Sequence, residues 1–275
     1  MVTLFAVAKL HDDTILIGRG DGAYDAVLSD RWMVPSGPNG GYLAALMLRA
    51  AIAASGGLTP RALNVQFLSA LPPGPAVVET NILRAGRSVT TIDVVLTVAE
   101  RSIVGRASLG PPRDGVEFCD VEMPDVPSPE DLPSEQWPED NESSVHLRYD
   151  MRFAAGGAHE YDHQAAEAIG WIRTDDAAAV DHLVVAALAD SWPPPVARRQ
   201  RSGVGAPTMD LTIHFRDSLT EPIDDFVLAH SRTRMARDGF ADLDTDLWSR
   251  DGRLLATARQ LGLLVPRPIT APTAS

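Results

Sequence analysis

The sequence predicts an α+β protein in which one module occurs twice, each module a curled antiparallel sheet around a central helix. Three observations predict it. The segment Leu63-Asn64-Val65-Gln66-Phe67 resembles Leu211-Thr212-Ile213-His214-Phe215, 148 residues later. Ala85 to Ala107 lines up without gaps on Ala236 to Ala258, an offset of 151, so that Ala85, Asp93, Leu96 and Ala107 meet Ala236, Asp244, Leu247 and Ala258. In each copy one apolar helical run precedes several long β-branched segments. A duplicated pattern of this kind marks two similar units packed together, and 275 residues suffice for two modules of ordinary size.

In the first module, Thr14–Ile17 and Ala23–Leu28 read as short strands. Asn39 is a helix N-cap, and an Ala/Leu/Met-rich helix follows to about Ala54, where Gly56-Gly57 stops it. This helix is apolar nearly all round, which predicts burial. Strands follow at Leu63–Leu68, Val77–Ala85, Ser88–Ala99 and Ile103–Leu109, separated by turns such as Ala85-Gly86-Arg87.

Residues 111–142 contain seven prolines, eleven carboxylates and one arginine. Such a segment forms neither a regular helix nor a central strand. It divides the chain into an N-terminal module (1–110), an acidic Pro-rich linker (111–144) and a C-terminal module (145–275). The linker's net charge of −10 accounts for most of the −13 of the whole chain. The modules themselves therefore do not repel an anionic ligand, and no basic face suggests nucleic acid.

The second module repeats the order. Strands are expected at Val145–Phe153 and Ala168–Arg173, then a helix from about Ala178 to Asp190, closed by Trp192-Pro193-Pro194-Pro195. Strands follow at Met209–Phe215, Phe226–Arg234, Gly239–Ser249 and Leu254–Val265. One buried helix followed by long antiparallel strands is the pattern of a hot-dog module. Two copies predict a tandem, or double, hot-dog, with the sheets joined edge to edge.

Three polar residues of the second module are candidates for chemistry: Asp190 at the end of the apolar helix, Thr208 before a strand, and Gln260 in the last strand. The gapless repeat pairs Gln260 with Leu109, and aligning the two helices by their starts puts Asp190 near Arg49, so the first module lacks this set. A carboxylate, a hydroxyl and an amide around one water form a hydrolytic arrangement, in which the carboxylate takes a proton and the other two groups fix direction. Each also has an ordinary structural reading: Asp190 as a cap or ion-pair partner, Thr208 as a strand-entry residue, Gln260 as a sheet-edge residue.

The motifs around these residues resemble the TesB-like acyl-CoA thioesterases, which are double hot-dog enzymes. Asn39-Gly40-Gly41-Tyr42 is similar to that family's Gly-Gly-Gln helix start, with Tyr42 in place of Gln. Leu188-Ala189-Asp190 resembles its Asp-bearing helix end, Thr208-Met209-Asp210 its strand entry, and Leu255-Ala256-Thr257-Ala258-Arg259-Gln260 its Gln-bearing strand. The segment after Thr208 is about one residue shorter than the family pattern before Phe215-Arg216. The resemblance implies hydrolysis of acyl-CoA to free fatty acid and CoA, catalytic Asp190, Thr208 and Gln260, no cofactor or metal, and a homo-oligomer of dimer size or larger.

Gly40 and Gly41 carry two readings. Free N–H groups at a helix start, with the positive end of the dipole, can hold a developing oxyanion; equally, glycine lets a helix start approach its neighbour closely. His159-Glu160-Tyr161-Asp162-His163 matches the H-E-x-x-H pattern of zinc proteases, but Gly156-Gly157 precedes it and no third ligand follows at the required spacing, so it is expected to be a polar loop. Arg87 and Arg198 are candidates to meet the phosphates of CoA, although the run Arg198-Arg199-Gln200-Arg201 also fits a solvated loop. Two other functions fit such a fold. A hot-dog enoyl-CoA hydratase uses an Asp/His pair in a Gly-Asp-x-Asn-Pro-x-His loop, which is missing here; a non-catalytic acyl-CoA-binding protein gains little from Asp190 and Gln260 beside an apolar tail. No apolar run reaches membrane-spanning length, Met1–Ala8 lacks the basic lead of a secretory signal, and Cys119 is the single cysteine, so a cytoplasmic protein is expected.

Overall fold

A computed structural model describes residues 9–138, 143–157, 164–199 and 204–266. The principal elements are α1 (Lys9–Asp13), β1 (Ile17–Gly20), β2 (Ala23–Leu28), α2 (Gly40–Ala54), β3 (Pro60–Gln66), β4 (Gly74–Ala85), β5 (Thr90–Val98) and β6 (Arg101–Leu109). They continue with β7 (Tyr149–Ala155), β8 (Glu167–Thr174), α3 (His182–Leu188), β9 (Thr208–Phe215), β10 (Val227–Arg232), β11 (Phe240–Ser249) and β12 (Leu254–Leu263).

These strands form one antiparallel sheet in the order β1-β2-β4-β5-β6-β3-β9-β12-β11-β10-β8-β7; the pair Ala236–Arg237 adds a thirteenth strand beside β11. The order is the same read from either end of the chain's two halves, with β3 and β9 at the seam. The fold is therefore the expected tandem hot-dog. Alternation of buried and half-buried residues along β5 and β11 gives the sheet one apolar face, and α2 and α3 lie together against it.

The helix α2 is buried nearly all round, from Gly41 to Leu48 and at Ala50 and Ala51. Its small alanines allow close packing on every side. Asn39 caps it through a hydrogen bond from Tyr42 N–H, and Gly56 and Gly57 end it with φ of 76° and 91°. The helix α3 is shorter than the sequence suggests. Asp181 caps it by accepting from the N–H of Leu183 and Val184, while Val180 bridges to Ile223 in extended conformation. The two helices are antiparallel: Ala187 and Asp190 at the end of α3 meet Gly40 and Gly41 at the start of α2.

Two expectations near chain ends of the modules are corrected. Thr14–Ile17 is not a strand: a helical turn, α1, precedes it, with Thr14 Oγ1 donating to the Leu10 carbonyl, and the strand starts at Ile17. The stretch from Val145 begins as a 3-10 turn over Ser144–Arg148, and β7 starts only at Tyr149. Among its described residues the proline-rich segment has a single short 3-10 turn, Pro129–Asp131, but it is packed down. Met123, Val126 and Leu132 cover Trp171, Phe226, Leu228 and Trp248 on the outer face of the second half. Trp171 Nε1 donates to the Pro127 carbonyl at 2.8 Å, and Arg250 pairs with Glu130 at 2.6 Å. Among the described residues no helix is long and apolar enough to cross a membrane.

Candidate active site

The end of α3, the start of α2, and the strands β9 and β12 converge on one corner. Gln260 is buried on the inner face of β12. Its Nε2 donates to the Ala189 carbonyl at 3.2 Å, and its Oε1 accepts from Thr208 Oγ1 at 2.8 Å. The same Thr208 oxygen stands 3.4 Å from Asp190 Oδ1. Thr208 points inward because the register of β9 against β12 slips between Thr208 and Asp210. This bulge leaves Met209 exposed and turns Thr208 to the side of Gln260, the kind of re-aiming that bulges provide.

Asp190 sits at the positive end of α2. Burial pushes its carboxyl up to about 6, against the opposing pull of Gln260, the Gly41 N–H, Thr208 and the Gly40 N–H. Both glycines are sterically required. A Cβ on Gly40 would lie 2.6 Å from Asp190 Oδ2 and 2.9 Å from the Phe67 ring, and one on Gly41 would strike the Ala187 carbonyl. A carboxylate poised near neutrality beside fixed donors suits proton transfer.

The expected trio thus comes together, and one neighbour emerges that sequence reasoning treated only as a cap. Asn39, itself buried, donates from Nδ2 to the Asp190 carbonyl at 2.8 Å. Tyr42 does not join the corner. Its hydroxyl donates to the Asp13 carbonyl at 2.8 Å and accepts from Ser29 N–H at 3.1 Å, its ring stacks on Trp32, and burial raises it to about 12.

The sister corner, at the other end of the helix pair, differs. The strand ladder sets Leu63 opposite Ala107 and, in the second half, Leu211 opposite Gln260. The counterpart of Gln260 is therefore Ala107, which corrects the pairing with Leu109. The turn between β11 and β12 is two residues longer than that between β5 and β6, so a gapless alignment slips there. The ion pairs Asp93–Arg106 and Asp244–Arg259 occupy matching places once the slip is allowed for. By the same ladder Thr208, opposite Gly262, corresponds to Pro60, opposite Leu109. Arg49 lies near the cap of α3, its Nη2 donating to the His11 carbonyl while His11 Nε2 pairs with Asp181 at 2.9 Å.

Arg198 is buried, with Nη1 bound to the Glu167 carbonyl, so it is no surface contact for phosphate, whereas Arg87 is exposed. The H-E-x-x-H segment, His159 to His163, and the Gln200-Arg201 pair lie outside the described residues.

A continuous sheet of two matching halves around an antiparallel helix pair, with a hydrogen-bonded carboxylate, hydroxyl and amide at one helix end, defines a double hot-dog protein with a single elaborated corner. Residues 28–110 match the model of the acyl-CoA thioesterase N-terminal domain and residues 129–264 that of the acyl-CoA thioesterase C-terminal domain; the chain belongs to the acyl-CoA thioesterase family and is a thioester hydrolase. Among solved structures, it is similar to a conserved hot-dog-fold protein of unknown function from Alicyclobacillus acidocaldarius, with a TM-score of 0.85, 28% identity, and coverage of 94% of this chain and 98% of that one. A thioesterase II candidate from Thermobifida fusca YX gives a TM-score of 0.83 and 27% identity over the same shares, 94% and 98%. The acyl-CoA thioesterase II TesB2 of Mycobacterium marinum has the same fold, with a TM-score of 0.72 at 20% identity over 95% of this chain and 99% of that one. No curated protein matches the sequence.

Proposed function

We propose that this chain hydrolyses acyl-CoA thioesters to a free fatty acid and CoA, using a water positioned by Asp190, Thr208 and Gln260. The observation that carries the reading is the hydrogen-bonded convergence of these three groups at one corner, where the sister corner has Pro60 and Ala107 in the places of Thr208 and Gln260. The Asp190 carboxylate takes a proton as the water oxygen attacks the thioester carbonyl. The tetrahedral intermediate collapses with loss of the C–S bond, and the proton passes from Asp190 to the departing thiolate. Thr208 and Gln260 form one connected pair anchored to the Ala189 carbonyl, which limits the directions the water can take. The N–H groups of Gly40 and Gly41, read from the sequence as polarisers of the thioester carbonyl, face the Asp190 carboxylate; in this reading they hold the base at the positive end of α2, so that the N-terminal module (1–110) and the C-terminal module (145–275) both serve one site. Arg87, the other candidate for the phosphates of CoA, is exposed but lies in the turn beside Thr90, Leu109 and Pro60, at the sister corner's end of the sheet, so no arginine is assigned that part here.

The test is release of free CoA from a panel of short, medium and long acyl-CoAs, with wild type beside Asp190→Ala. Turnover by the wild type and its loss in a folded variant supports the mechanism and reveals the preferred chain length. Equal turnover in both removes Asp190 from the mechanism. Binding without turnover moves the protein to the acyl-CoA-binding class.

A further inference from the structure

Asn39 uses both ends of its side-chain amide. Oδ1 accepts from the Tyr42 N–H at 3.1 Å and so caps α2; Nδ2 donates to the Asp190 carbonyl at 2.8 Å and stands 3.4 Å from Asp190 Oδ2. Capping alone does not explain the residue type, because Asp and Ser cap helices about as well. The companion helix shows the alternative: α3 is capped by Asp181, and that carboxylate faces a partly buried histidine, His11, with Arg49 close by. At α2 the same carboxylate would face Asp190. A serine hydroxyl would cap but could not reach Asp190 as well. An amide is the group that offers an acceptor to the helix and a donor to the carboxylate.

We infer that Asn39 is a positioning residue for hydrolysis: its Nδ2 fixes the chain at Asp190 and favours the ionised carboxylate facing Thr208 and Gln260. The inference rests on the reading of Asp190 as the base. The groups that face Asp190 are Thr208 from β9, Gln260 from β12 and the N–H groups of Gly40 and Gly41 from α2. Tyr149 of β7 also senses its charge, and burial raises the Tyr149 phenol well above its ordinary value. None of these groups carries a charge at neutral pH, so a donor such as Asn39 Nδ2 weighs on the ionisation of Asp190.

The experiment compares Asn39→Asp and Asn39→Ser, both of which keep a good cap, with wild type. The dependence of kcat/KM on pH is measured from pH 5 to 9, and the Asp190 carboxyl is titrated independently by its 13C shift. With Asn39→Asp, two carboxylates share the corner, and the acid limb is expected to move up by about one pH unit or more, which is about tenfold in rate at low pH, with recovery at high pH. Asn39→Ser is expected to move the limb in the same direction by less, with its helix content retained. If both variants titrate and turn over with the wild-type acid limb, Asn39 is a cap and the inference is overturned. If the wild type turns over no acyl-CoA, the thioesterase mechanism itself fails, while the 13C titration still decides whether Asn39 sets the state of Asp190. If Asn39→Asp fails to fold, the serine variant decides by the same two readouts.

Discussion

Asn64 and Thr212 lie directly opposite each other across the seam of the sheet, with Asn64 Nδ2 donating to Thr212 Oγ1 at 2.8 Å. They are also equivalent positions of the internal repeat, 148 residues apart. A residue that pairs with its own counterpart marks a two-fold axis. The axis of the duplicated fold therefore passes between these two side chains, and each half of the sheet is generated from the other about that point. The functional corner breaks the symmetry.

Asp190→Asn should make the protein more stable at neutral pH. The native carboxyl titrates at about 6, above its ordinary value near 4 in an unfolded chain. Between these values the native state binds more protons than the unfolded state, so stability falls as pH rises through the window and stays lower above it. The difference corresponds to roughly 2 to 3 kcal/mol at most. Urea unfolding should show the variant gaining about 2 kcal/mol at pH 8 and little at pH 4. Equal differences at both pH values would show that Asp190 is not strained by its charge.

The same value predicts the activity profile. A general base must be ionised, so kcat/KM should rise with pH through about 6 and level off. Stopped assays of CoA release between pH 4.5 and 8 would show it. An inflection near 4 would mean that the base titrates at an ordinary carboxylate value, and no inflection would mean that the rate does not depend on the ionisation of Asp190.

Gly41→Ala should separate the helices. The added methyl has no room against the Ala187 carbonyl, a backbone atom that cannot turn aside. Overpacking of this kind costs about 1 to 3 kcal/mol, and moving α3 also displaces Asp190. Turnover should fall with stability in this variant, by thermal denaturation and CoA release on the same sample. A variant with unchanged melting temperature would disprove the close approach.

Much of this was legible in the sequence. The alternation of β-branched residues, the cap at Asn39 and the Gly56-Gly57 stop placed α2 and most strands within a few residues, because local propensity and burial agree there. What was missed depends on long-range partners. The turn between β11 and β12 holds two extra residues, and only the strand ladder reveals that Gln260 faces the place of Ala107. The bulge at Met209 leaves no periodic trace, although it explains how Thr208 turns inward. α3 begins late because Asp181 is the better cap, and Val180 is held by Ile223, far along the chain. The second role of Asn39 required sight of Asp190, 151 residues away.

Tyr42→Phe should cost stability without affecting chemistry. The hydroxyl satisfies the half-buried Asp13 carbonyl and Ser29 N–H, and both lose a partner in the variant. About 1 to 3 kcal/mol is expected. The hydroxyl bonds to Asp13 and Ser29 while the ring stacks on Trp32, and none of these is a partner of Asp190, so kcat at a permissive temperature should match wild type. A large fall in kcat with full stability would give Tyr42 a part in the reaction.

Each chain should carry one active site, although the fold contains two equivalent corners. At the sister corner, Pro60 offers no hydroxyl where Thr208 does, Ala107 offers no amide where Gln260 does, and Arg49 is a cation near the capping carboxylate Asp181. A guanidinium cannot act as a base at neutral pH, and a methyl group cannot direct a water. Asp190→Ala should therefore abolish turnover rather than halve it, and titration with a tight-binding non-hydrolysable acyl-CoA analogue should find one site per chain. Arg49→Met should leave turnover intact while loosening the contact with α1 through the lost bond to the His11 carbonyl. Residual activity near half in Asp190→Ala, removed by a further change at Arg49, would show that the first module had kept a working site of a different composition.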